Sequence, residues 1–211
     1  MVQKASATSN SASKGRGRPR QFDADQVINA AIWAFFAKGF EATTLGDLED
    51  ATGVDRSTLY NSFGGKRGLY ESATSTYLDL ARTGLFAPLL GGGPDENDGY
   101  GDILEFLDRL RSGLTSATAI PGCLIVNDMA AGADPRAAQR YREMLEEGLT
   151  AALARAGEND PQRRSDRAGM LATSVLGVNL VSKTTDGDAR EIGRLVDAMI
   201  DEVGRWRAAA T

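Results

Sequence analysis

A chain of 211 residues that is 42% hydrophobic and 25% charged has an ordinary globular composition, large enough for one good core or for a small domain beside a larger one. No apolar run reaches the roughly 18–20 residues that cross a bilayer, the N-terminus lacks the apolar centre of an export signal, and the single cysteine cannot form an internal disulfide; a cytoplasmic protein away from membranes is expected. With no histidine, no Walker loop, no Gly-x-Ser-x-Gly elbow and no strand followed by GxGxxG, no catalytic residue, cofactor or metal is expected, and an enzyme is the weakest reading.

The net charge of −5 is unevenly placed, because all 29 acidic residues follow position 20. Residues 1–20 carry Lys4, Lys14, Arg16, Arg18 and Arg20, so the chain is built to touch an anionic polymer with one end only. Residues 1–13 are rich in Ser, Ala, Thr and Asn and are expected to be disordered. The run Gly15-Arg16-Gly17-Arg18-Pro19-Arg20 is similar to an AT-hook, whose arginines (here Arg18 and Arg20) enter a narrow minor groove; a plain basic tail that only releases counterions is the alternative.

Asp23 or Asp25 opens a first helix to about Lys38, with Ile28, Ala31, Ile32 and Phe35 on one face. Gly39 ends it, Phe40 plugs the small core, and Trp33 and Phe36 fall off the stripe, free to pack elsewhere. Residues 43–64 then read as two short helices joined by a tight turn. Thr44 and Asp47 have capping-box spacing, and Leu45, Leu48 and Ala51 form an apolar edge. Gly53 supplies the turn and Val54 a buried plug. Asp55 caps the second helix, where Leu59 and Phe63 point inward. Arg56, Ser57, Thr58, Tyr60 and Asn61 are left outside, and each can hydrogen-bond to a phosphate or a base edge. A helical hairpin with a solvated polar face is the plain alternative.

Val27-Ile28-Asn29-Ala30-Ala31, Phe35, Gly39-Phe40-Glu41-Ala42-Thr43-Thr44, Gly53-Val54, Thr58-Leu59-Tyr60-Asn61-Ser62-Phe63 and Lys66 resemble the N-terminal domain of TetR-family transcriptional regulators over residues 20 to about 70. The remainder resembles the family in length and helical character, and Gly122-Cys123-Leu124-Ile125-Val126-Asn127 is similar to a run in a subset of its ligand domains. The resemblance implies a helix-turn-helix that reads operator DNA with the five outward residues, while Thr44 and Lys66 clamp the backbone. Two departures stand out. Asp55 replaces a frequent serine, and Gly64-Gly65 replaces a usual Pro or Ser, implying a looser joint.

Lys66 opens a fourth helix to about Leu85, its N-terminus suited to phosphate. Gly91-Gly92-Gly93-Pro94 and the acids after it form a loop; without a preceding strand it is no phosphate cradle. Ile103, Phe106, Leu107, Leu110 and Leu114 mark the next helix, Pro121-Gly122 a break, and Cys123 to Val126 a buried segment. Tyr141, Leu145, Leu149 and Leu153 place a helix over 135–156, followed by a polar connection over 157–166. Helices over about 166–182 and 189–207 close the chain.

The expectation is therefore an all-α protein of about nine helices: a disordered basic arm (1–20), a three-helix helix-turn-helix DNA-binding domain (21–67) and a helical ligand-binding and dimerisation domain (68–211). As the resemblance implies, the last two helices (about 166–207) pair two copies so that two reading heads sit a half-site spacing of about 34–36 Å apart. An unidentified small-molecule inducer is expected by analogy of fold, with Phe106, Leu110, Cys123, Met129, Tyr141, Met144, Met170 and Ser174 as candidate lining or, failing that, plain core. The expected function is a repressor released from its operator by that inducer. The alternatives are a constitutive DNA-binding protein, or one tripped by oxidation or an electrophile at Cys123, whose apolar neighbours equally suit an inert thiol.

Overall fold

The computed structural model describes residues 22–92, 98–117, 119, 121–129, 132–185 and 188–210. The basic arm with Arg18 and Arg20, residues 93–97 of the glycine loop and Ile120 lie outside the described residues. Those described form nine α-helices and one π-turn, and no strand.

The first three helices are locally capped and arranged around one apolar nucleus. α1 (Ala24–Ala42) starts at Asp23, whose carboxylate accepts the N–H groups of Asp25 and Gln26, and is interrupted at Gly39 (φ 78°). α2 (Leu45–Thr52) carries the full Thr44–Asp47 capping box and ends at Gly53, in the left-handed region at φ 70°. α3 (Arg56–Phe63) is capped by Asp55. Val27, Ala31, Ile32, Phe35, Phe40, Leu48 and Leu59 bury the inner faces, with Leu69, Tyr70 and Ala73 of α4 (Gly65–Thr83) completing the nucleus. Val54 is only half-buried and Ala51 is exposed, so the apolar edge of α2 is narrower than its spacing suggests. Leu124 and Ala133, far along the chain, also enter this nucleus.

A larger core lies behind it. After the π-turn (Pro88–Gly92) come α5 (Gly99–Thr115), α6 (Leu124–Met129), α7 (Pro135–Arg155), α8 (Pro161–Thr184) and α9 (Ala189–Ala210). α5 packs between α7 and α9, and α7 against α8. Tyr141, Leu145, Leu149 and Leu153 are all fully buried, as four-residue steps along one face require. α8 begins earlier than its apolar pattern suggests: Asp160 accepts from Gln162 N and Arg163 N and Pro161 takes the first turn, so the polar run after it is helical rather than a connection. Two partly buried ion pairs tie the polar edges down: Arg155–Asp102 at 2.6 Å, and Arg167–Glu158 at 2.9 Å with the guanidinium stacked 4.6 Å over Trp206.

Candidate nucleic-acid interface

α3 is aimed by its buried side. Leu59 is fully buried and Phe63 half-buried, which turns Ser57, Tyr60 and Asn61, at i, i+3 and i+4, onto one exposed strip. Thr58 sits half-buried at its edge, and Tyr60 is 55% exposed. The Asp55 carboxylate accepts Thr58 N and Ser57 Oγ, both at 2.7 Å, so its charge is spent on capping the helix. Arg56 is anchored to α2: its N–H donates to Glu49 Oε1 at 2.7 Å and its guanidinium reaches Glu49 Oε2 at 3.4 Å. Glu49 thus sets the angle between the two helices, a role the outward spacing of Arg56 did not reveal.

The flanks are equally organised. Thr44 N and Oγ1 donate to Asp47 Oδ2, each at 2.8 Å, and Lys38 reaches Asp47 Oδ1 at 2.6 Å. The Lys38 ammonium and the Thr44 donors hold the Asp47 carboxyl well below the usual carboxylate range. Lys66 donates to Glu41 O at 3.1 Å with its ammonium 4.5 Å over the Phe40 ring, lying across the end of α1. Gly64 and Gly65 both adopt positive φ (79° and 83°), and α4 starts with no side-chain cap, leaving its first N–H groups open. A Cβ at Gly65 would stand 2.8 Å from the Tyr60 ring, so this glycine makes room for the exposed tyrosine.

A polar seam fastens this head to the larger core, and nothing in the sequence pointed to it. Three residues on one face of α4 reach the segment 128–134: Arg67 donates to Ala133 O, Tyr70 Oη to Asp128 Oδ2 at 2.9 Å, and Thr74 Oγ1 to Asp134 Oδ2 at 2.8 Å. Phe40 N, freed from helical bonding by the break at Gly39, donates to the same Asp128 oxygen at 3.0 Å. Burial, reinforced by the Asp128 bond, pushes the Tyr70 phenol far above its ordinary value.

A cleft of about 420 Å³ opens where head and body meet, lined by Trp33 and Phe36 of α1 together with residues of α4, α5, α7, α8 and the start of α6. It brings together Leu110, Cys123 and Tyr141 of the candidate lining. The others lie elsewhere. Phe106 is fully buried against Phe86, and Met129 is half-buried on α6. Met144 borders a separate surface hollow with Arg140 and Glu147. Met170 (44% exposed) and Ser174 lie off the inward face, because α8 turns Leu171, Val175 and Val178 to the core. Burial pushes the Cys123 thiol above its ordinary 9.0. Among the described residues no cluster of three His, Cys, Asp or Glu could hold a metal, and no helix is long and apolar enough to cross a membrane.

An all-helical chain whose second and third helices form a glycine-cornered pair with a polar outer strip is a helix-turn-helix protein. Residues 27–73 match the profile described as bacterial regulatory proteins, tetR family. The HTH-type transcriptional repressor BdcR of Escherichia coli (strain K12) is 27% identical over 179 residues, covering 83% of this chain and 85% of that protein. The repressor ComR of the same organism is 32% identical over 115 residues, spanning 54% of this chain and 53% of its own length. In fold, the chain is similar to the TetR-family regulator CifR, solved as a cysteine mutant with a 26-bp operator (TM-score 0.72, 24% identity, 88% of this chain and 98% of that one), and to reduced E. coli NemR (TM-score 0.69, 18% identity, 85% and 94%). Residues 27–73 are thus a DNA-binding domain of the tetR family, and the chain as a whole is similar to HTH-type transcriptional repressors.

Proposed function

We propose that the chain is a sequence-specific repressor that binds its operator as a homodimer and is released by a small molecule. The exposed strip of α3 carries the reading: its side chains are free to meet base edges because the helix is fixed from behind by Leu59, capped by Asp55 and tied to α2 by Glu49. Ser57, Thr58, Tyr60 and Asn61 contact bases and phosphates in the major groove. Arg56 joins them with the guanidinium donors that Glu49 does not engage. Thr44, Lys66 and the open first turn of α4 hold the phosphate backbone, and Arg18 and Arg20 of the arm (1–20) add minor-groove contacts. Residues 21–67 read, and residues 68–211 sense and pair.

The pairing is supported by α8. From Ala168 to Ser182 it has no charged residue, yet Gly169, Met170, Thr173 and Leu180 face outward. Small and apolar side chains on an outer helix face suit close packing against a second copy. Operator titration of the purified chain, using fragments selected from random DNA, tests the reading. Tyr60→Ala is expected to weaken the selected site at least tenfold with the fold intact, and two chains should bind per site. Unchanged affinity, or one chain per site, would refute it. A hundredfold release by an inducer needs only about 2.7 kcal/mol of preference for the non-binding form.

A further inference from the structure

The cleft at the junction is walled on one side by the reading head itself. We infer that it takes an uncharged, largely apolar molecule bearing one strong hydrogen-bond acceptor such as a carbonyl oxygen, which touches the head directly through Trp33 and Phe36. This deepens the inducible reading above and rests on it for its regulatory meaning.

The lining chemistry excludes a charged ligand. Arg109 is the one charged residue on the described wall; it lies exposed at the rim and is spoken for, donating to Gly84 O at 2.5 Å and to Glu105 at 2.6 Å. At the deep end Tyr77 and Tyr141 flank Cys123, and burial holds all three above their ordinary ionisation range, so they stay neutral. An ion placed there would lose its hydration without gaining a partner.

The acceptor follows from a mismatch of donors. Tyr77 Oη donates to Cys123 Sγ at 3.4 Å. A thiol is a weak acceptor, so the Tyr77 phenol leaves donor strength unused, and a second phenol, Tyr141, lines the same cleft. A carbonyl oxygen entering from the cleft would satisfy them better.

The aromatic side explains two exposed residues. Trp33 (59% exposed) and Leu80 (56%) are costly on a solvated surface, and both border a second hollow of about 380 Å³ that shares Trp33, Phe36, Tyr77, Ala81 and Leu85 with the first. The rings run in sequence from mouth to floor: Trp33–Phe36 and Phe36–Tyr77 are each 6.3 Å apart. A molecule on this path bears on α1 at one end and on α6 at the other.

The test uses the full chain without DNA and the uncharged probe N-phenyl-1-naphthylamine, whose emission rises in apolar surroundings and which accepts energy from tryptophan. In Trp206→Phe, Trp33 is the sole tryptophan, and saturable probe binding should quench it. Gly113→Phe fills the cleft from an exposed helical position where an added Cβ meets nothing within 4 Å, so it should abolish binding with the fold intact. Among competitors, 1-tetralone should displace the probe at roughly tenfold lower concentration than its hydrocarbon counterpart tetralin, and Tyr77→Phe with Tyr141→Phe should erase that ratio. The anion 1-naphthoate should compete poorly. Equal competition by ketone and hydrocarbon, strong competition by naphthoate, unquenched Trp33, or binding retained in Gly113→Phe would each overturn the inference. Binding as described without loss of operator affinity would leave this site standing and sink the inducible reading. Operator release that ignores Gly113→Phe and Trp33→Ala would do the reverse.

Discussion

Asp128 concentrates the attachment of the reading head in one carboxyl oxygen, and its removal has a calculable effect. In Asp128→Ala two buried donors, Phe40 N and Tyr70 Oη, lose the acceptor they share at 3.0 and 2.9 Å. Each buried donor left unsatisfied costs about 1–3 kcal/mol, and since the backbone N–H is fixed while the phenol can turn toward water, about 3 kcal/mol in total is expected. For a chain of this size each kcal/mol moves Tm by roughly 2–4 °C, which places the fall at roughly 6–12 °C. Tyr70→Phe alone keeps the Phe40 bond and should cost about 1 kcal/mol. Combined with Asp128→Ala it should add almost nothing, because its partner is already gone. Urea unfolding of the four chains, at one protein concentration so that subunit association is held constant, measures this cycle. Losses that add to within about 0.3–0.5 kcal/mol would show that the two groups do not share an interaction, and the seam would lose its central bond.

Gly65→Ala forces an L-residue to φ 83° and brings its Cβ to 2.8 Å from the Tyr60 ring; a loss of about 1–2 kcal/mol and weakened operator binding are expected, and an unchanged operator titration would detach Gly65 from the reading helix. Asp55→Ala removes the cap on Thr58 N and should cost about 1 kcal/mol by thermal unfolding; a more stable variant would mean that the acid is a burden rather than a cap. Cys123 should react slowly with a disulfide reagent at pH 8 in the native chain and fast in urea; rapid native labelling would revive the thiol-switch alternative. Cys123, Tyr77 and Tyr141 are held above their ordinary values of 9.0 and 10.0, so the unfolded chain releases these protons first and stability should fall as pH rises beyond about 9; a flat profile through pH 10 would contradict their burial.

What the sequence disclosed was what lies close along it. The caps at Thr44, Asp55 and Asp23, the turn at Gly53 and the buried steps from Tyr141 to Leu153 each depend on neighbours a few residues away, and local spacing suffices to place them. The seam was invisible because Phe40 and Asp128 are 88 residues apart, and an aspartate in a short apolar helix carries no mark of its partner. Trp33 could be seen to fall off the helix stripe, but not to face a cleft, since that depends on where α4 and α5 arrive. Met170 and Ser174 illustrate the opposite limit: chemistry suggested a lining role, while the register of α8 leaves Met170 exposed and Ser174 half-buried beside the inward stripe. The start of α8 was hidden because its first turn is polar on every side, with Pro161 and its Asp160 cap as the only local signal.

The three anchoring side chains on α4, at positions 67, 70 and 74, leave one face of a continuous helix over about 10 Å. Because such a rod is stiff, tilting it far enough to free Thr74 would also strain the bonds of Tyr70 and Arg67. Any change in the angle between α4 and the segment that holds Asp128 and Asp134 therefore has to disturb all three bonds together.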